Sequence, residues 1–361
     1  AQINYLGTNA GKSNETFGPL TVASGQTTFT VIAQPSKETN TSFASNPVVH
    51  NVGGTMLFRA TNLGADYGPG VGTIISDNKN AGFVFIGSLG ALGTTSKGIL
   101  PWALADTNTS TGVGVSFATA DTGFDLIRVL NPATEMVTNV FTTGTNVLLS
   151  NAQSAGSPAG VSINSLTLNN AASSVAIATG STLQLSSGGL LATVANAGIN
   201  GGYLNSATLS REMIVHALGS FTISSIIGNA ANTFTGALTK AGAGNLTLTG
   251  LSNYQGTTTV NQGTLTLANG NDNSLAFGKP LVVNFHSTNI GTLDLGARNQ
   301  YVGTLNSAGP AEGAGGNIIG TGILTTTLGG TFGGNIGGAV SLTKAMTNTL
   351  TLTAANSTTG N

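Results

Sequence analysis

The chain has 361 residues, of which 11 are Lys or Arg and 12 are Asp or Glu, giving a formal net charge of −1. Charged residues are 6% of the total, against roughly 25% in ordinary soluble domains, so nothing draws in a phosphate backbone or an anionic lipid, and nucleic-acid binding is excluded. With 53 Gly and few helix-favouring side chains a coiled coil or helical bundle is excluded as well, and 40% hydrophobic content excludes intrinsic disorder.

Residues 1–150 carry 6 of the 9 Pro, 9 of the 14 Phe, 8 of the 12 carboxylates and the single Trp, Trp102. Strands are predicted at 27–33, 55–60, 82–86 and 113–118, joined by long connections. This part reads as a less regular β section with projecting loops, continuous with residues 151–361 rather than a separate enzyme domain.

Residues 151–361 are written in short alternating runs. Leu166 and Leu168 flank Thr167, and the pattern returns at Leu183 and Leu185, Leu246 and Leu248, Leu265 and Leu267, and Leu350 and Leu352. Period-two alternation is the mark of a half-buried strand. These Leu, together with Val260, are therefore expected inside, and Thr247, Thr266 and Thr351 outside. Turns are expected at Gly188-Gly189, Gly201-Gly202, Asn269-Gly270, Gly329-Gly330 and Gly333-Gly334. Leu209, Met213, Ile214, Ala217 and Leu218 are spaced like a helix face, but residues 212–217 are read as strand because the alternating run at Phe221-Thr222-Ile223 comes directly after them.

The segment beginning Leu238-Thr-Lys-Ala-Gly-Ala-Gly-Asn-Leu-Thr-Leu-Thr249 aligns without gaps on Leu342-Thr-Lys-Ala-Met-Thr-Asn-Thr-Leu-Thr-Leu-Thr353, an offset of 104 residues. A repeated unit that cannot bury its own apolar face points to a solenoid. At roughly 20–25 residues per turn and about 4.8 Å per rung, the chain would make about 15 turns. Low charge suits such stacking, because charges in register would repel.

The run Lys240-x-Gly242-x-Gly244, then Leu246-Thr-Leu248, then Asn253-Tyr254-x-Gly256-x-Thr258-x-Val260, then Gly263-Thr-Leu265 resembles the autotransporter-associated β-strand repeat of bacterial surface proteins. Looser likeness extends to stretches such as Glu212-Met-Ile-Val-His216 and Ile99-Leu-Pro-Trp-Ala103. The resemblance implies an all-β, right-handed parallel β-helix, exported and displayed at the bacterial cell surface or shed from it, with no catalysis. The second copy departs from the motif, with Met346 and Asn348 in place of glycines and Thr358 in place of Tyr254. The chain is thus expected to be a segment of a longer polypeptide, or one copy in an end-to-end filament. An adhesin using loops of residues 60–135 to bind a glycan or matrix ligand is the alternative, and a β-helix polysaccharide-active enzyme a more distant one.

Isolated candidates for chemistry have plainer readings. Asp121-Thr-Gly123 copies an aspartic-protease tripeptide, with Asp125 nearby, but such a mechanism needs a second carboxylate motif; Asp121 is expected to cap a turn. His50, His216 and His286 lack metal-ligand spacing, and His216 is expected to face outward or to bond a neighbouring rung. Asp272, Lys279, His286, Asp294 and Arg298 read as solvated surface. Gly68-Pro-Gly-Val-Gly72 and Gly242-Ala-Gly244 lack the Lys-Ser/Thr of a phosphate loop and read as turns. Tyr254, Tyr301 and Trp102 are too scattered for a glycan-stacking face. Neither a cofactor nor a metal is expected, no run of 18 apolar residues spans a membrane, and the absence of Cys leaves backbone pairing and core burial to hold the fold.

Overall fold

The computed structural model describes residues 1–43, 48–76, 82–89, 91–121, 126–155, 160–207, 212–309, 311–354 and 356. Among them there is no helix, and nearly all strand pairing is parallel. The expected all-β parallel β-helix is what the chain forms.

Residues 137–354 make the main column. One ladder runs Asn146–Leu149, Ser165–Leu168, Gly189–Ala192, Glu212–Ala217, Ala237–Ala241, Thr258–Val260 and Leu281–Val283, each strand parallel to the next. A second joins Phe221, Leu246, Leu265, Leu293, Ile318 and Ile336 in register. A coil takes between 18 residues (Ile318 to Ile336) and 28 residues (Thr264 to Thr292). The predicted interior is there: Leu166, Leu168, Leu183, Leu185, Leu246, Leu248, Val260, Leu265 and Leu267 are all buried. Thr247 and Thr266 are half-buried between their inward Leu neighbours, and Thr351 is exposed.

Leu350 and Leu352 are a correction. Leu350 is half-buried and Leu352 is 37% exposed, because among the described residues no further rung stacks on the strand Leu350–Leu352. Two of the predicted turns are corners within continuous strands. Gly201 and Gly202 bend Ala197–Ser206, and Gly329 and Gly330 bend Asn317–Phe332, with positive φ at all four.

The first 76 residues are more regular than their composition suggests. Gln2–Leu6, Gly25–Ile32, Gly54–Ala60 and Lys97–Asp106 pair in parallel, and Ser13–Phe17, Thr39–Phe43 and Gly72–Ser76 form a second parallel ladder. Together they make a shorter stack. Its interior is aromatic: Phe29 lies 5.4 Å from Phe17 and 5.3 Å from Phe43, centroid to centroid, and Phe58 lies 5.6 Å from Phe83. That core is where the Phe excess of this half goes. Among the described strands, antiparallel pairing occurs where Lys97–Asp106 meets Ile86–Leu89 and Ser116–Ala120, and where the latter meets Ile127–Val129; isolated antiparallel bridges also join Ile75 to Leu126 and Asn284 to Gly315. Two predicted strands therefore shift: the one expected at 82–86 starts at Ile86, and the one at 113–118 starts at Ser116.

The short stack lies along the main column and runs the opposite way. Ser24 bonds Asn284, Gly53 bonds Asn261 and Glu212, Pro101 bonds His216, and Lys97 bonds Asn146. From Ser24 through Gly53 to Pro101 the partners across this seam step back along the main column, from Asn284 through Asn261 to His216. The first ladder of the main column is consequently covered on both faces, which explains why Glu212–Ala217 is buried at every position instead of alternating.

Candidate functional site

The repeat motif is the first place to look for chemistry. Val215, Lys240, Val260 and Val283 occupy equivalent register positions on four successive coils, so Lys240 stands where its neighbours place Val. Its side chain is fully buried. The ammonium donates to the carbonyls of Ala241 (3.0 Å), Gly242 (2.6 Å) and Gln262 (2.8 Å), which lie where one coil turns into the next. Those bonds favour the charged form, while burial pushes the pKa down to about 7. Lys344, its equivalent in the second copy, donates to the carbonyls of Thr327 and Met346, each at 3.1 Å, and to that of Ala345. The same device therefore appears twice.

The remaining motif residues are also consumed internally. Gly242 has φ +79°, and a Cβ there would lie 2.5 Å from the Ala217 carbonyl oxygen. Tyr254 is buried with its hydroxyl 2.5 Å from Thr258 Oγ1, and burial raises its pKa to about 12. Asn253 Nδ2 donates to the Asn229 carbonyl at 2.7 Å, tying one coil to the previous one.

A second cluster lies in the seam. Glu212 is buried; its Oε1 accepts from the Gly53 amide at 2.9 Å and from the Thr239 hydroxyl. Burial raises its pKa to about 7. His50 Nε2 is 3.8 Å from Glu212 Oε2 and 2.9 Å from the Gly54 carbonyl, and the ring stacks on Trp102 at 5.3 Å. His216 does not face outward as one reading expected. Its Nε2 bonds the Pro101 carbonyl at 2.9 Å across the seam, and burial lowers its pKa to about 4, leaving it neutral.

The densest ionic network was not legible from spacing. Arg128 donates to both oxygens of Glu135 at 2.7 Å and to Asp121, while Glu135 also accepts from the Gly93 and Asn131 amides. Asp121 is thus an ion-pair partner rather than a turn cap. These three side chains satisfy one another, which suits a structural strut holding the antiparallel region together. Asp125, Leu209 and Thr358 lie outside the described residues.

The surface group of the second half does not converge. Asp272 accepts from Asn299, Asp294 accepts from the Gly296 amide beside it, and no ion pair among the described residues links them to Lys279 or Arg298. His286 lies in the wall between the stacks and is buried. No group of three or more His, Asp or Glu able to hold a metal occurs among the described residues. Gly70 and Gly242 take positive φ at turns, as expected. Trp102 and Tyr254 are core residues, whereas Tyr301 stacks on the exposed Phe277 at 4.9 Å.

Residues 238–267 match the model of the passenger-associated-transport-repeat family. No curated protein matches the chain, and no solved structure does either. The chain therefore carries a repeat of autotransporter passengers, and that repeat comprises the Lys240 carbonyl cap, the Gly242 corner and the buried Tyr254.

Proposed function

We propose that this chain is a structural, non-catalytic length of an exported bacterial surface protein, a β-helical stalk or fibre body whose residues 1–150 and 151–361 form one continuous unit. The observation that carries the reading is the fate of the matched repeat. Its distinctive Lys, Asn and Tyr side chains are buried or bonded within the coils and its Gly242 turns a corner, and none is presented to a substrate. Passengers of this type are generally exported to the cell surface or beyond it, which is the location proposed for this chain. An adhesin acting through the loops of 60–135 draws less support, because Trp102 and Phe83 are buried within that region.

The test is display. The chain, placed between a secretion signal and an autotransporter translocator barrel, should reach the bacterial surface and resist added protease as a single fragment. Retention inside the cell, or rapid digestion at the surface, would overturn the proposal. Turnover of polysaccharides, esters or peptides by the purified chain would overturn its non-catalytic part.

A further inference from the structure

Asn followed directly by Gly occurs twice in the sequence, at Asn200-Gly201 and at Asn269-Gly270. In such a pair the main-chain nitrogen of Gly can reach the side-chain carbonyl carbon of Asn and close a five-membered ring, and Gly has no side chain to shield that nitrogen. Whether the ring closes in a folded chain depends on how firmly the local backbone is held. The two sites differ in this respect.

Asn200 and Gly201 lie inside the strand Ala197–Ser206, in register with Ala176 and Ile177, and a Cβ at Gly201 would lie 2.1 Å from the Ile177 carbonyl oxygen. Ladder pairing and close packing hold that backbone. Asn269 and Gly270 instead follow the end of Thr264–Leu267, in a stretch with no strand before Leu281–Val283. Gly270 is exposed with φ +78°, and a Cβ there would meet nothing within 4 Å. Its N–H donates to no group among the described residues. The Asn271 amide donates to Asn269 Oδ1 at 2.8 Å, and Asn271 Nδ2 donates to the Asn269 main-chain carbonyl at 3.2 Å. A donor on Oδ1 draws electrons from the side-chain carbonyl carbon and stabilises the oxyanion that forms when that carbon is attacked. Asn269 Nδ2 makes no hydrogen bond that would resist its departure.

We propose that Asn269 is a site of spontaneous deamidation in the folded chain and that Asn200 is protected from it. The Gly270 nitrogen gives its proton to water and bonds to Asn269 Cγ. The bond from Cγ to Nδ2 breaks, and Nδ2 takes up a proton from water and leaves as ammonia. Water then adds to one carbonyl of the resulting succinimide and opens the ring, leaving an aspartyl or an isoaspartyl linkage at position 269. Water is the only co-reactant. Either product places a new carboxylate three residues from the exposed Asp272, and the isoaspartyl form also adds a methylene to the main chain where the strand ends. This goes beyond the structural role proposed above and does not depend on it.

The unfolded chain is the control, because there the two sites differ only in sequence context. The intact chain is kept in warm, mildly alkaline buffer for several weeks, alongside a portion held unfolded in guanidinium chloride. Peptide mapping by mass spectrometry follows the change from amide to acid at each Asn, and labelling by an isoaspartyl methyltransferase measures the isoaspartyl product. In the unfolded portion Asn200 and Asn269 should convert at rates within a few-fold of each other. In the folded chain Asn269 should convert at least tenfold faster than Asn200. Asn269→Gln, whose attack would need a six-membered ring, should keep the parent's circular dichroism and lose most of the labelling. Three results would overturn the proposal: equal conversion of the two sites in the folded chain, faster conversion at Asn200, or a folded chain in which Asn269 stays intact while the unfolded portion converts.

Discussion

Lys240 sits among Val215, Val260 and Val283 in the stacked interior, and three carbonyl acceptors offset only part of the cost of burying its ammonium. Lys240→Met keeps the packing volume but strands those carbonyls, and should lower stability by about 2 kcal/mol at pH 7.5 in chemical denaturation. The pH dependence is more diagnostic. With a folded pKa lowered from 10.5 to about 7, the neutral form is favoured in the fold. The associated stability is fully present above pH 10.5 and is lost as pH falls through about 7. The parent chain should therefore gain stability between about pH 7 and 10, and Lys240→Met should not. Glu212 has the opposite sign. Its folded pKa is raised to about 7, so its contribution is present below pH 4.5 and lost as pH rises through about 7. Glu212→Gln should match the parent at about pH 4.5 and exceed it by about 3 kcal/mol at about pH 8; equal stability at the higher pH would contradict the burial of an ionised carboxylate there.

At the scale of the strand and its corner, the two copies of the repeat form a natural experiment. Gly242 and Met346 hold equivalent positions with φ of +79° and +61°. Such a conformation costs a non-glycine residue about 1–2 kcal/mol, and Met346 is 71% exposed, so its side chain recovers little by burial. Met346→Gly should stabilise the chain by about 1 kcal/mol, whereas Gly242→Ala should destabilise it by more, since its Cβ would collide with the Ala217 carbonyl. Position along the stack matters in the same way. Leu246→Ala, on an interior rung, should cost about 2–5 kcal/mol, and Leu352→Ala, on the last described rung, less than about 1 kcal/mol. The alternation that revealed these strands works only where one face meets solvent. It read Leu246, Leu248, Leu265 and Leu267 correctly. It was ambiguous at 212–217, where Ile214 and His216 are covered by the other stack, and no local pattern distinguishes a strand buried on both faces from a helix segment. The Lys240 cap was visible only as a motif letter, because its carbonyl acceptors are backbone atoms that carry no sequence signature.

For the whole molecule, what the sequence left hidden is the docking of the two stacks. Contacts such as Ser24 with Asn284 and Gly53 with Asn261 join residues more than 200 positions apart, and neither periodicity nor the 104-residue repeat encodes them. The Arg128–Glu135–Asp121 network is local, with both partners seven positions from Arg128, but it depends on how the strands Ser116–Ala120 and Ile127–Val129 pair, which residue spacing alone does not give. The seam's hydrogen bonds and its buried Leu57, Leu104, Phe117 and Leu191 make the stacks cooperative, so denaturation should follow one transition rather than two. The most direct measurement of that arrangement is a covalent one. The chain has no Cys, and a Cβ built at Gly25 lies 3.9 Å from the Cβ of Ala308 on the opposite stack, within the range a disulfide spans. The double variant Gly25→Cys with Ala308→Cys should oxidise to an intramolecular crosslink, read as loss of two hydrogens in the intact mass and as a linked pair of peptides after digestion. Two thiols that stay free under oxidising conditions, in a variant that keeps the parent's circular dichroism, would contradict side-by-side stacks running in opposite directions.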